Sequence, residues 1–186
     1  MSDINKLKHD NIFFTSDTMF GRKNILSYRK KFHSIEEMNN YLIERWNKVI
    51  NEDSHIYHLG NFVWEPFLGT EVLNQLNGTI EFLIGNYDKS LYELLQLYDN
   101  IILNEDQIVE IPELDVVLCH YPLEYWNNKD KNTIHIHGHT YDTLPTDLSK
   151  MNRINVCTDF WNYTPVSFDL IKDLIISYKN AINENK

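Results

Sequence analysis

Short apolar runs that end in polar, often glycine-flanked segments constrain this chain more than any other feature. A run of four or five apolar residues bounded by turn residues reads as a strand buried on both faces, and such strands belong to α/β architectures. Ile12 to Thr15 is the first, and it delivers Ser16-Asp17 at its C-terminal end. Ser34 with Glu37 then makes a capping box, and Ile35, Met38, Leu42, Trp46 and Val49 recur at spacings of three and four, which predicts an amphipathic helix. A strand at His55 to Leu59, a helix around Glu65 to Leu76, a strand at Ile80 to Ile84 and a helix around Leu91 to Tyr98 follow. Further short strands are predicted at Ile101 to Leu103, Ile108 to Ile111, Val116 to Cys119, Ile134 to His137, Ile154 to Cys157 and Val166 to Phe168. Leu170, Leu174 and Tyr178, at spacing four, predict a closing helix. This order suggests two β-sheets packed face to face with helices outside, an arrangement in which ligands gather at the carboxyl ends of strands.

At 186 residues and 42% hydrophobic content the chain suffices for one domain with a sizeable core, and no repeat, low-complexity tract or Pro/Gly-rich linker marks a boundary within 1–186. A net charge of -10 argues against general affinity for nucleic-acid backbones, which comes from Lys and Arg neutralising phosphates. The Met1 end lacks a basic flank followed by an apolar core, and no segment approaches the roughly 18 consecutive apolar residues of a membrane span. A soluble cytoplasmic protein with no membrane partner is the expectation. Cys119 and Cys157 sit inside apolar stretches and read as small core hydrophobes rather than a disulfide or redox pair.

Five segments carry polar groups where predicted strands finish: Ser16-Asp17-Thr18-Met19 with Gly21-Arg22, Gly60-Asn61, Gly85-Asn86-Tyr87-Asp88, His120-Tyr121-Pro122, and His137-Gly138-His139-Thr140-Tyr141. A glycine in or beside four of the five lets the backbone approach a small ligand closely. One shared site accounts for all five.

In order and spacing these segments resemble the signature of the calcineurin-like metallophosphoesterases, D-x-H, G-D, G-N-H-[DE], H and G-H-x-H. The stretches FFTSD with FGRKNI, YHLGNF, LCHYPL, HIHGHTY and DFWNYTPVS look like a small bacterial and phage branch of that family. The resemblance runs from about Ile12 to Ile171. It implies a four-layer α/β sandwich of two mixed sheets with helices outside, in a bacterial cell or phage-infected host. It also implies two metals that share a bridging aspartate, clamp a phosphate ester and activate a water.

Carried over residue by residue, the resemblance gives Asn86, His120 and His139 to a second metal, all present. The first metal keeps only Asp17, because Met19 stands for the histidine of D-x-H, Asn61 for the bridging aspartate and Tyr141 for the last histidine. Tyr87 replaces the histidine that assists catalysis, and Arg22 follows Phe20-Gly21 where this branch has a histidine. A thioether and a neutral phenol are poor ligands for hard divalent cations. Without a shared anion, even unit charges about 4 Å apart repel by roughly 4 kcal/mol at an effective dielectric near 20. The cofactor expected is therefore one divalent metal (Mn, Fe, Zn or Ni) or none.

The expected function is a degenerate, catalytically impaired relative that binds or sequesters a nucleotide or other phosphorylated ligand through Asp17, Arg22, Asn61, Asn86, Tyr87, His120, His139 and Tyr141. A working phosphoesterase using one metal at Asn86, His120 and His139 is the alternative, and a protein-binding scaffold is a third. Arg22 reads either as a phosphate contact, its planar fork suiting phosphate oxygens, or as an ion-pair partner of Asp17. His55, His58 and His135 read as packing or surface residues, His137 as either facing or supporting the site, and Trp126, Trp161 and Tyr163 as core or rim aromatics. The run Asn127 to Asn132 reads as a solvated loop.

Overall fold

β1 (Ile12–Thr15), β2 (His55–His58), β3 (Thr79–Phe82) and β4 (Ile101–Leu103) pair in parallel in the order β4-β3-β2-β1, and β9 (Val166–Ser167) closes the far edge antiparallel to β1. In the second sheet β5 (Ile108–Ile111) pairs antiparallel with β6 (Val116–Cys119), and β7 (Ile134–His137) and β8 (Arg153–Asn155) continue in parallel. The computed structural model describes residues 11–141 and 152–184, with 178, 179 and 181–184 by backbone alone. The Met1 end, the outer limits of the 1–186 domain and the Tyr178 side chain lie outside the described residues.

Strand alternation divides the core in two. Ile12, Phe14 and Tyr57 meet Leu118, Ile136 and Ile154 of the second sheet, so the sheets pack face to face. On the other side of the first sheet, Ile56 and Phe82 meet α1 (Ile35–Asn47) through Met38, Leu42 and Trp46, and α2 (Pro66–Leu73) through Val72 and Leu73. The molecule is thus an α/β arrangement of two mixed sheets with helices. On the outer face of the second sheet a loop does the covering: Leu123 N–H donates to His135 Nε2 at 3.0 Å and Trp126 packs on the same ring.

Ser34 caps α1, its Oγ accepting from Glu37 N–H at 3.0 Å, while Glu37 Oε2 takes the His33 N–H at 2.7 Å rather than that of Ser34. Pro66 opens α2, where its missing N–H costs nothing. The predicted helix around Leu91 to Tyr98 shrinks to a 3-10 turn (Lys89–Leu91) and α3 (Tyr92–Leu95); Leu91 and Leu95 are buried in the core, and Leu94 and Tyr98 pack against it part-buried. α4 (Phe168–Glu184) presents a different face from the one predicted. Phe168, Ile171 and Ile175 enter the inter-sheet core, and Leu170 is exposed. Val49 likewise lies past the end of α1 and is exposed.

β8 ends at Asn155, two residues short of the predicted strand, for a reason that bears on the site. Val156 C=O accepts from Ser16 N–H at 3.1 Å, and Ser16 C=O accepts from Thr158 N–H at 3.0 Å, so the chain leaves the second sheet to join the end of β1. The strand ends of both sheets are thereby tied together. Cys119 and Cys157 are buried free thiols. Among the described residues no helix is long and apolar enough to cross a membrane.

Candidate functional site

The loops after β1 and β2 zip together: Asp17 N–H donates to Gly60 O (2.9 Å), Met19 N–H to Asn61 O (3.1 Å) and Phe20 N–H to Phe62 O (2.9 Å). Asp88 anchors the loop after β3 to them, accepting from Asn61 N–H at 2.5 Å, Phe62 N–H at 2.9 Å and Gly85 N–H at 2.8 Å. Gly60 (φ 92°) permits this approach, since a Cβ there would lie 2.5 Å from Gly85 N. Gly138 does the same after β7, where a Cβ would collide with Ser16 Oγ and come within 2.6 Å of Asp17 Oδ2.

Asp17 (φ 55°), Met19 (φ 53°), Asn61 (φ 60°), His139 (φ 70°) and Tyr141 (φ 45°) all hold left-handed backbone conformations without being glycine. Each costs on the order of 1–3 kcal/mol, and such residues cluster at ligand sites because the surrounding structure must hold them there. All five stand at positions singled out from the sequence.

Asn61 lies at the centre. Its Oδ1 accepts from Tyr87 N–H at 3.1 Å. A backbone N–H can only donate, so this contact fixes which way the amide faces. Nδ2 therefore points at Asp17 Oδ1 (2.9 Å), Asn86 Oδ1 (3.2 Å) and His120 Nε2 (3.2 Å). The buried Asp17 carboxylate is further held by Ser16 Oγ–H at 2.8 Å and His139 N–H at 2.7 Å.

His120 Nδ1 donates to Leu59 O at 2.6 Å, which leaves Nε2 as a lone pair facing the site. Asn86 Oδ1 lies 3.0 Å and His139 Nδ1 3.1 Å from that nitrogen. His139 is shifted toward the neutral imidazole, first by burial and then by His120, against the pull of Asp17. Three atoms able to act as Lewis bases thus converge, two imidazole nitrogens and one amide oxygen, a donor set that suits a borderline divalent cation. Among the described residues no group of three or more His, Cys, Asp or Glu side chains could hold a metal, so the set depends on the amide of Asn86.

Arg22 lies beside this cluster. Its guanidinium stacks over the rings of Trp64 (4.8 Å) and Tyr87 (4.7 Å), and Nη1 donates to Tyr141 Oη at 3.1 Å and to Met19 Sδ at 3.6 Å. The expected alternative of an Asp17–Arg22 ion pair is not formed. Asp17 is saturated by three neutral donors, and the aromatic rings hold Arg22 away from it. Burial, and secondly Asp17, push the Tyr141 phenol up. Among the described residues Nε and Nη2 of Arg22 have no hydrogen-bond partner, so both remain able to donate to an anion.

His58 lies beneath the joined loops rather than lining the site. His58 Nδ1 accepts from Gly60 N–H at 3.2 Å, with Thr18 Oγ1 3.1 Å from Nε2, and burial lowers its pKa to about 3. His135 and His137 stack on each other beneath the loop over the second sheet, and His55 Nε2 meets Glu81 Oε2 at 2.9 Å. His137 Nδ1 bonds Gly138 O at 2.9 Å, in the turn that leads to His139. Trp126 and Trp161 are half-buried and donate their indole N–H to Thr133 O and Asn155 O, and Tyr163 packs edge-on against Phe32 and Tyr41. Asn127 to Asn132 is a surface loop holding one 3-10 turn.

Two residues that pin the site were not among the candidate site residues. Arg29 is fully buried and spends all five N–H donors: on Thr18 O (2.7 Å), Asp17 O (2.7 Å), both carboxylate oxygens of Asp159 (2.9 and 2.8 Å) and Met38 Sδ (3.6 Å). It thereby clamps the strained Asp17 turn to the segment after β8. Asp88, the second, sat in a quoted motif, and the tendency of Asp to tie down turns was its one signal.

No protein-family model matches the chain. It is 26% identical over 208 residues to the Gene 66 protein of Mycobacterium phage L5, covering 95% of this chain and 97% of that one. The crystal structure of AQ665 from Aquifex aeolicus, a protein of unknown function, shares its fold with a TM-score of 0.69 and 25% identity over 88% of this chain and 98% of that one. The uncharacterized protein MJ1445 of Methanocaldococcus jannaschii is 34% identical over 171 residues, covering 88% of this chain and 90% of that protein. With that identity along nearly the whole of both chains, this protein belongs to the family of MJ1445.

Proposed function

We propose that this chain is a calcineurin-like metallophosphoesterase relative whose dinuclear centre is degenerate, and that it binds a nucleotide or other phosphorylated ligand at the joined strand ends without ordinary turnover. The two face-to-face mixed sheets, with the five segments at their carboxyl ends, are the arrangement that reading requires. The observation that carries it is the orientation of Asn61. Where two cations would need a shared anion, an amide NH₂ donates to Asp17, Asn86 and His120. Met19, Tyr141 and Asn61 do not fit a first metal. Arg22, stacked and partly unsatisfied, supplies positive charge beside Tyr87 and Tyr141 by another route.

Asn86, His120 and His139 do fit one divalent cation, which when bound would supply Lewis-acid polarisation of a phosphoryl oxygen. That convergence favours the second reading, a slow one-metal phosphoesterase. Isothermal titration with Mn²⁺ and with inorganic phosphate, beside a bis-p-nitrophenyl phosphate assay, separates the two. The binding reading expects phosphate affinity weakened by Arg22→Ala and no turnover above background. Mn²⁺-dependent hydrolysis abolished by His120→Ala would overturn it and establish the enzyme. Asn61→Asp is expected to raise Mn²⁺ affinity and lower the stability of the metal-free protein, because it sets a carboxylate oxygen against three acceptors.

A further inference from the structure

We propose that a groove beside this site seats the nucleoside part of a nucleoside monophosphate whose phosphate lies at Arg22; this rests on the phosphate-binding reading above. The groove, of about 960 Å³, opens between α1, α2 and the loop from Gly21 to Asn24. That volume lies within the roughly 300–1,000 Å³ of small-molecule sites. Arg22 and Trp64 line it, and both also belong to the cluster described above, so the two spaces share a wall. A ligand anchored at one reaches the other without a break.

The charge of the lining is polarised. Arg22 and Lys23 stand at the loop end, whereas Glu36 and Glu71 come from the helices and Glu65 from the residue that precedes α2. One anionic group is accommodated at the loop end, and a ligand carrying negative charge along its whole length, such as a polyphosphate or an oligonucleotide, is repelled by the carboxylates. What the remainder offers is neutral: the amides of Asn24, Asn40 and Gln75, which can donate to and accept from a base edge, and an apolar floor that includes Ile43 and Val72. Trp64, 41% exposed, adds a ring face at the junction. A single phosphate joined to a flat body with hydrogen-bonding edges is the chemistry of a nucleoside monophosphate. Stacking on aromatic faces with amide contacts to the edges is how such bodies are held.

The test is isothermal titration of the full chain with inorganic phosphate, AMP, GMP, CMP and adenosine. The nucleotide preferred is expected to bind at least about tenfold more tightly than phosphate. Asn40→Trp or Gln75→Trp, an exposed position on α1 and one in the turn after α2 at which a large ring fills the groove, is expected to remove that gain while phosphate affinity and melting temperature stay near wild type. Two variants guard against one failing to fold. Nucleotides binding no more tightly than phosphate, or a filled groove that leaves nucleotide affinity unchanged, overturns the proposal while the phosphate-binding reading stands. Adenosine binding as tightly as AMP overturns the placement of the phosphate at Arg22. Failure of phosphate, Mn²⁺ and nucleotides alike to bind removes both readings together.

Discussion

Removing the carboxylate of Asp159 tests how the site is held. In Asp159→Ala the guanidinium of Arg29, whose side chain is 0% exposed, keeps its charge and loses the acceptors of two of its five N–H groups. Breaking a buried pair from one side costs about 3–5 kcal/mol, because the remaining charge is uncompensated. Asp159 itself is 17% exposed, so water reaches its side of the pair and the lower half of that range is expected. For a chain of this length about 3 kcal/mol lowers the melting temperature by roughly 6–12 °C. Urea denaturation followed by tryptophan fluorescence should show a lower midpoint with an unchanged slope. Asp159→Asn keeps the shape but turns an NH₂ toward a guanidinium N–H, so it should lose nearly as much as alanine. A cost below about 1 kcal/mol for both variants would show that the clamp on the Asp17 turn does not depend on this pair.

Acid should destabilise the protein through His58 and His135. In each, one ring nitrogen accepts from a backbone N–H, Gly60 for His58 and Leu123 for His135, so a second ring proton has no room, and burial lowers their pKa values to about 3 and about 4. Their unfolded values lie near 6.5, so the unfolded chain binds more protons below that pH: the stabilisation is complete above about pH 6.5 and is lost as pH falls toward 4, by up to about 1.4 kcal/mol per pH unit for each histidine. Urea midpoints at pH 7 and pH 5.5 that coincide would contradict this. Gly138→Ala, which presses a methyl group against Asp17 and Ser16, should cost about 1–3 kcal/mol in a thermal melt and weaken Mn²⁺ binding. Arg22→Ala should reduce phosphate affinity by about 10- to 100-fold, the loss of charged hydrogen bonds, and Arg22→Lys should not restore it, since an ammonium cannot reproduce the stacked fork.

The site's components were readable because their signals are local. A short apolar run predicts a buried strand, the residue after it predicts a strand-end loop, and Asp17, Asn61, Asn86, His120 and His139 are found together at those ends. What could not be read depends on partners distant in sequence. Arg29 sits in Tyr28-Arg29-Lys30-Lys31, which has the look of a solvated basic turn until Asp159 is brought to it. The face of α4 was misread because Leu170, Leu174 and Tyr178 share a periodicity with Phe168, Ile171 and Ile175, and only the inter-sheet core chooses between them. Identity at position 61 was plain, but not which way its amide turns. That depends on one backbone N–H from the loop after β3.

The antiparallel pairing of β1 with β9, and the bridge from Ser16 to Cys157, set an order of events during synthesis. Residues of the first strand wait for partners about 140 or more positions later in the chain, so loop-closure entropy must be met before Asp17 is gripped. A nascent chain that has passed β7 and reached His139 holds the imidazoles and amides of the cluster but not the carboxylate that clamps Arg29. The pocket is therefore among the last parts of the molecule to acquire its final shape, and an interrupted translation product would hold these residues without the geometry that brings them together.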